Sequence, residues 1–137
     1  MQLTQLLLAT GLFASSVFAA PLASDQWTIK DMKRVCNAAD TSCTWTFGIN
    51  NGATVTPAKY VVEGDAASRK NGGPSNFGSY TVTSGWSGQF GPNNGFTTLS
   101  VVNNDARKII WPAYTDAQLK GGNVVKPDQS YSAVPLP

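Results

Sequence analysis

The chain has 137 residues, two cysteines, no histidine and a net charge of +2 from ten basic and eight acidic side chains. Without histidine there is no Ser-His-Asp or Cys-His triad, no imidazole acid–base catalysis and no ordinary transition-metal site. The basic residues are scattered, with Lys33-Arg34, Arg69-Lys70 and Arg107-Lys108 as the only adjacent pairs. So balanced a chain gives no argument for nucleic acid or an anionic membrane as partner.

The first nineteen residues read as an export signal. Leu6 to Phe13 is an apolar run, and Val17-Phe18-Ala19 places small residues at the −3 and −1 positions. Cleavage after Ala19 leaves one secreted β domain over residues 20–137. The segment before the run lacks its usual Lys or Arg. A membrane anchor is the alternative reading, but the run is shorter than the roughly 20 residues that a span requires.

Trp27-Thr28-Ile29 and Met32-Lys33-Arg34-Val35 follow as short strand candidates. Cys36 and Cys43 then bracket six small or polar residues, with strand-like sequence on both sides. In an exported chain this reads as a disulfide that staples the end of a β-hairpin. A short loop of this kind is stabilised by roughly 2–3 kcal/mol. A metal or redox pair is the alternative, and it lacks both a CxxC spacing and a histidine.

Thr44-Trp45-Thr46-Phe47-Gly48-Ile49 places its large apolar residues at every second position, the period of a half-buried strand. Residues 59–62, 80–86, 96–102 and 108–111 are the remaining strand candidates. Asn50-Asn51-Gly52, Asn71-Gly72-Gly73-Pro74, Gly91 to Gly95 and Asn103-Asn104-Asp105 are turn sequences between them. Residues 69–76 read as a long mobile loop. Thr115 and Gln118 fit a capping box, so one short helix is expected near 115–120, ended by Gly121-Gly122. Residues 127–137 read as an extended tail. Close turn spacing and the lack of helical periods between strands give the fold class: all-β, a single-domain β-sandwich or β-barrel of short, mainly antiparallel strands.

The chemistry left to such a chain is narrow. With the cysteines bridged, no thiol nucleophile remains. A carboxylate pair stays open, since glycoside hydrolysis needs only two acids at a defined separation. Glu63 and Asp65 share a strand face by spacing, but Gly64 and Ala66-Ala67 mark a strand exit, which suits a solvated loop pair. No catalytic residue, metal ligand or cofactor is therefore assigned. The densest unusual stretch, residues 83–96, sets Trp86, Phe90 and Phe96 among glycines and small polar groups. It is either an exposed aromatic platform or a hairpin whose rings pack the core. Trp111-Pro112-Ala113-Tyr114 poses the same choice at a strand end. The candidate binding surface is accordingly Trp86, Gln89, Phe90, Phe96, Trp111 and Tyr114.

Several of these stretches carry a resemblance. Arg34-Val35-Cys36, residues 43–49, Ser84 to Gly91, Gly95 to Val102, Trp111 to Asp116 and Pro127 to Tyr131 resemble small secreted proteins of filamentous fungi. Some of those are described as hypersensitive-response-inducing, a class of plant-defence elicitor. The resemblance spans nearly all of residues 20–137 and implies no catalytic residue. Members commonly hold a second cysteine pair near the positions of Ala58 and Asn76-Phe77. Neither is cysteine here, which implies a middle hairpin held less tightly.

Four functions follow from these readings. The first is a secreted, extracellular, non-enzymatic effector or elicitor. It recognises a plant extracellular or membrane-surface protein and induces defence or cell death. The second is a carbohydrate-binding module for wall polysaccharide, the third a small two-carboxylate hydrolase, and the fourth a structural wall or spore-surface protein.

Overall fold

The computed structural model describes residues 25–137, so the export signal and its cleavage site lie outside the described residues. In chain order the strands are β1 (Gln26–Cys36), β2 (Ser42–Asn50), β3 (Val55–Glu63), β4 (Gly72–Phe77), β5 (Tyr80–Ser87), β6 (Phe96–Asn103), β7 (Lys108–Ile110), β8 (Ala113–Thr115), β9 (Gln129–Ser132) and β10 (Val134–Pro135). They form two antiparallel sheets. The first has the order β3-β2-β1-β9 and the second β10-β7-β6-β5-β4, with β8 also paired to β6. This is the all-β sandwich, and among the described residues its one α-helix, α1 (Asp116–Leu119), starts at the expected capping box.

Alternation decides which side chains fill the space between the sheets. In β2, Cys43, Trp45, Phe47 and Ile49 are buried while Thr44, Thr46 and Gly48 face outward. Val82, Leu99, Val101 and Ile110 meet them from the second sheet in the same core cluster. Trp27 on β1 touches Tyr80 on β5 edge-to-face, with ring centroids 5.6 Å apart. Each large apolar side chain taken out of water here stabilises the fold by roughly 1.5–3 kcal/mol.

The two short candidates at 27–29 and 32–35 are one strand with a bulge. Lys30 pairs with Gly48, whereas Lys33 pairs with Thr46, so three steps on β1 oppose two on β2. Asp31 takes a φ of 52° there, and its N–H donates to Asp128 Oδ1 at 2.9 Å. The extra residue resets the parity of the strand. Ile29 and Met32 both point inward although they are three positions apart. At the end of the strand, Cys36 pairs with Cys43 and the two are bonded as a disulfide. The hairpin staple read from spacing is therefore present.

Two stretches continue further than their sequence suggests. Residues 69–76 hold the edge strand β4 instead of a free loop. Pro112, which lacks an N–H, interrupts one long strand into β7 and β8 without ending it. Its carbonyl still accepts from the Leu99 N–H at 2.7 Å, so β6 is covered along its length. The tail is ordered by the same logic. β9 pairs with β1 in the first sheet, and β10 pairs with β7 in the second. Residues 129–135 thus cross from one sheet to the other and cover an edge of each.

The opposite side of the sandwich closes at β3 and β4 without a covalent bridge. The Tyr60 hydroxyl donates to the Gly73 carbonyl at 2.8 Å and lies 3.2 Å from Ser84 Oγ. Ser84 Oγ in turn accepts from the Gly72 N–H at 3.0 Å. A β-carbon on Gly72 would fall on the Tyr60 hydroxyl, 2.7 Å from Ser84 Oγ and 2.8 Å from Val62 Cγ2. Gly72→Ala is therefore expected to lower stability by about 1–3 kcal/mol through overpacking, read as a lower urea midpoint. An unchanged midpoint would mean that the β3–β4 junction is looser than these contacts require.

Candidate functional site

The β5–β6 connection gathers most of the aromatic residues singled out by sequence, and it separates them. Trp86, at the end of β5, is half-buried and clamped from three sides. Its Nε1 donates to Asp116 Oδ2 at 3.0 Å, and the Arg69 guanidinium lies 5.8 Å above its ring. Gly88 and Gly95 form its seat. A β-carbon at either would come within 2.7 Å of the indole, which explains the glycines around this tryptophan. Trp86 joins β5 to α1 and the turn Ala67–Arg69; it offers no free aromatic platform.

Phe90 behaves differently. It is 65% exposed, and its ring stacks on Phe96 with centroids 5.7 Å apart and planes 25° from parallel. The pair borders an apolar groove of about 530 Å³, whose rim carries Asn93, Asn94 and Thr115 and whose floor includes Ala113. Gln89 is exposed in the same loop. Trp111 is 52% exposed and shares the outer-face parity of Ala113 and Thr115, further along the sheet. Tyr114 is 1% exposed. Its hydroxyl has no hydrogen-bond partner among the described residues, and burial pushes its ionisation far up. The candidate surface thus reduces to Phe90, Phe96, Gln89 and, at a distance, Trp111, while Tyr114 belongs to the core.

A charged cluster that sequence reasoning missed lies at the disulfide end. Arg34 occupies an inward position of β1 and is only 9% exposed. It stacks over the Trp45 ring at 5.5 Å and donates from Nη1 to Asp116 Oδ1 and to the Ser68 carbonyl, each at 3.3 Å. Asp40 accepts from the Ser68 N–H at 2.9 Å and from Ser68 Oγ at 2.6 Å. The clue in the sequence was parity, since Met32 and Arg34 share a strand face. The arginine is kept buried by an aromatic face, a carboxylate and a carbonyl together.

This cluster is also where a carboxylate pair would have to operate. Asp40, Asp116, Arg34 and Lys120 line a common cleft of about 460 Å³ beside Cys36. Both acids are already occupied by structural donors. The Ser68 hydroxyl holds the Asp40 carboxyl below its ordinary range against the opposing effect of burial, with the Ser68 N–H, Arg34 and Arg69 adding to it. A general acid needs the opposite shift. Glu63 and Asp65 are exposed at the strand exit, as their spacing suggested. Cys36, Asp40 and Cys43 lie within metal-binding reach of one another, but the two sulfurs are bonded together and offer no thiolate.

The Asp40 shift gives a pH test. A carboxyl whose folded pKa is depressed adds stability above its unfolded value and loses it as pH falls through the folded value. Ser68→Ala removes the largest cause. The Asp40 titration, followed by NMR, is expected to move up toward 3.8, and the loss of stability between about pH 5 and pH 2 to become shallower. An unmoved titration would assign the shift to the retained Ser68 N–H and the arginines instead.

The family model described as Effector TSP1 matches residues 28–135, from within β1 to the end of β10. A protein named Effector TSP1 from Hypocrea virens (strain Gv29-8 / FGSC 10586) is 53% identical over an alignment that covers all of both chains. The earlier resemblance to small secreted fungal proteins of the effector type agrees with both matches. The chain belongs to the Effector TSP1 family and is a fungal effector.

Proposed function

We propose that this effector is secreted and acts outside the cell by surface contact with a plant extracellular or membrane-surface protein, inducing defence or cell death without catalysis. The observation that carries this reading is Phe90. A 65% exposed aromatic ring stacked on Phe96 beside an apolar groove is the kind of anchor that contributes most to protein recognition. Family membership and the disulfide support the extracellular setting. Both acids of the cleft beside Cys36 are held by structural donors, which supports action by contact.

Leaf infiltration tests the proposal. Purified protein of residues 20–137 at micromolar dose is expected to trigger defence or cell death. Phe90→Ala should lose most of the response while its melting temperature stays within about 2 °C, as for a surface change. Absence of any response to the unaltered protein across several plant species would overturn the elicitor reading.

A second reading has its own observation. The Phe90–Phe96 floor with Asn93, Asn94 and Thr115 at its rim combines an aromatic face with amide and hydroxyl groups, the chemistry that holds a neutral sugar ring. Pull-down on chitin, glucan and cellulose is expected to retain the protein and to lose Phe90→Ala. Trp86→Ala is the wrong probe here, because it would empty the seat between Arg69 and Asp116. No retention on any of the three polymers would end this reading.

A further inference from the structure

We propose that the outer face of the first sheet, on the side of the sandwich opposite Phe90, binds a carboxylated polysaccharide through Lys30, Lys33 and Lys59. Lys59 is far from Lys30 and Lys33 in sequence, and strand register brings it beside them. Lys33 pairs with Thr46, and Thr46 pairs with Lys59. At about 4.8 Å per strand, their backbones lie roughly 10 Å apart across three adjacent strands. Lys30 sits beside Gly48, two positions along β2. The bulge at Asp31 is what puts Lys30 and Lys33 on one face, since without it one of them would point into the core.

The surroundings favour an extended, hydroxyl-rich anion. Between the lysines the floor is Thr46 and Gly48, with Thr44 two positions further along β2 between Val35 and Val61. A depression of about 360 Å³ opens over Gly48, lined by Lys30, Asp31, Lys33, Thr46, Pro57 and Val124. That volume admits a sugar ring with its carboxylate beside an ammonium group. Among the described residues, none of the three lysines makes an ion pair. The acids at or near this face are paired or lie further along it. Asp31 and Asp128 are both bonded to Lys126, and Glu63 stands at the far end of β3, opposite Ser42. Lys30 lies within the field of Asp128, so Lys33 and Lys59 carry the larger share of the free charge.

An anionic bilayer is the competing occupant, and the face lacks what insertion needs. Its exposed apolar residues are Val35, Val55, Val61 and Val124, with no Trp, Phe or Leu standing above the lysines. Three lysines also fall short of the four to eight that mark a lipid-binding cluster. Lysine, a mobile point charge, suits repeated carboxylates along a polymer better than one fixed bidentate ligand.

The probe is polygalacturonate, with dextran as the neutral control and phosphatidylserine vesicles as the lipid control. At about 20 mM salt, residues 20–137 are expected to bind polygalacturonate and to release it by about 0.5 M, as screening requires. Lys33→Gln/Lys59→Gln should weaken binding by roughly tenfold or more. Lys70→Gln/Arg107→Gln, with the same loss of charge elsewhere, should change it by less than about threefold. Circular dichroism of both pairs verifies the fold. Equal losses from the two pairs would overturn the site, and so would no binding at low salt. Capture by the vesicles without capture by polygalacturonate would overturn the polysaccharide assignment. A protein that binds the polymer through these lysines yet elicits nothing in leaves would leave this face established and the Phe90 reading rejected.

Discussion

The whole arrangement depends on one extra residue in β1. A strand in the middle of a sandwich has to send alternate side chains into the core along its full length. The sequence of β1 breaks that alternation between Ile29 and Met32. The bulge at Asp31 absorbs the break, and the Asp128 carboxylate accepts the N–H that the bulge leaves over. From that point the inward positions are Met32, Arg34 and Cys36. Met32 fills the core, Arg34 organises the polar end, and Cys36 closes the hairpin on Cys43. The outward positions are lysines on one side of the bulge and on the other. A single irregularity therefore fixes the core, the staple and the charged face together.

The polar end shows how a buried cation is made tolerable. Desolvating a guanidinium costs several kcal/mol unless its charge and donors are met. Arg34 is met by an aromatic face, a carboxylate and a main-chain carbonyl, drawn from β2, α1 and the Ala67–Arg69 turn. Asp116 is shared, since its other oxygen accepts from Trp86. One carboxylate thus ties β1, β5 and the start of α1. The same sharing removes Asp116 from chemistry, because both its oxygens already accept hydrogen bonds. Asp40 is in a comparable state under Ser68. Acids held this tightly serve the fold.

How much of this was legible depended on whether the signal was local. Alternation in residues 44–49 and 96–102 gave the central strands, and six small or polar residues between two cysteines gave the staple. The capping box at Thr115 gave the helix. Features set by pairing were hidden. Residues 69–76 read as a loop because Gly-Gly-Pro carries turn chemistry, yet the edge strand over Gly72–Phe77 tolerates both residue types where its neighbours supply the register. Pro112 read as a strand end because the proline breaks a ladder locally, while its carbonyl keeps the strand attached to β6. The aromatics of the candidate site were all visible as rings. Their sorting into clamp, platform and core was not, since it follows from which face Gly88, Gly95 and Asp116 present to the indole.

The charged residues carry the same lesson furthest. Along the chain, Lys30, Lys33 and Lys59 are three unremarkable entries in a nearly balanced composition, and no argument for an anionic partner can be drawn from them. Pairing of β1 with β2, and of β2 with β3, converts that scatter into a row across a flat face. The two sheets then present opposite chemistries outward, lysines and hydroxyls on one, aromatic rings and amides on the other. If the lysine face binds a polymer as proposed, the aromatic side remains open. Separate loss of each face by substitution is possible because the shared core, and not either surface, holds the sandwich together.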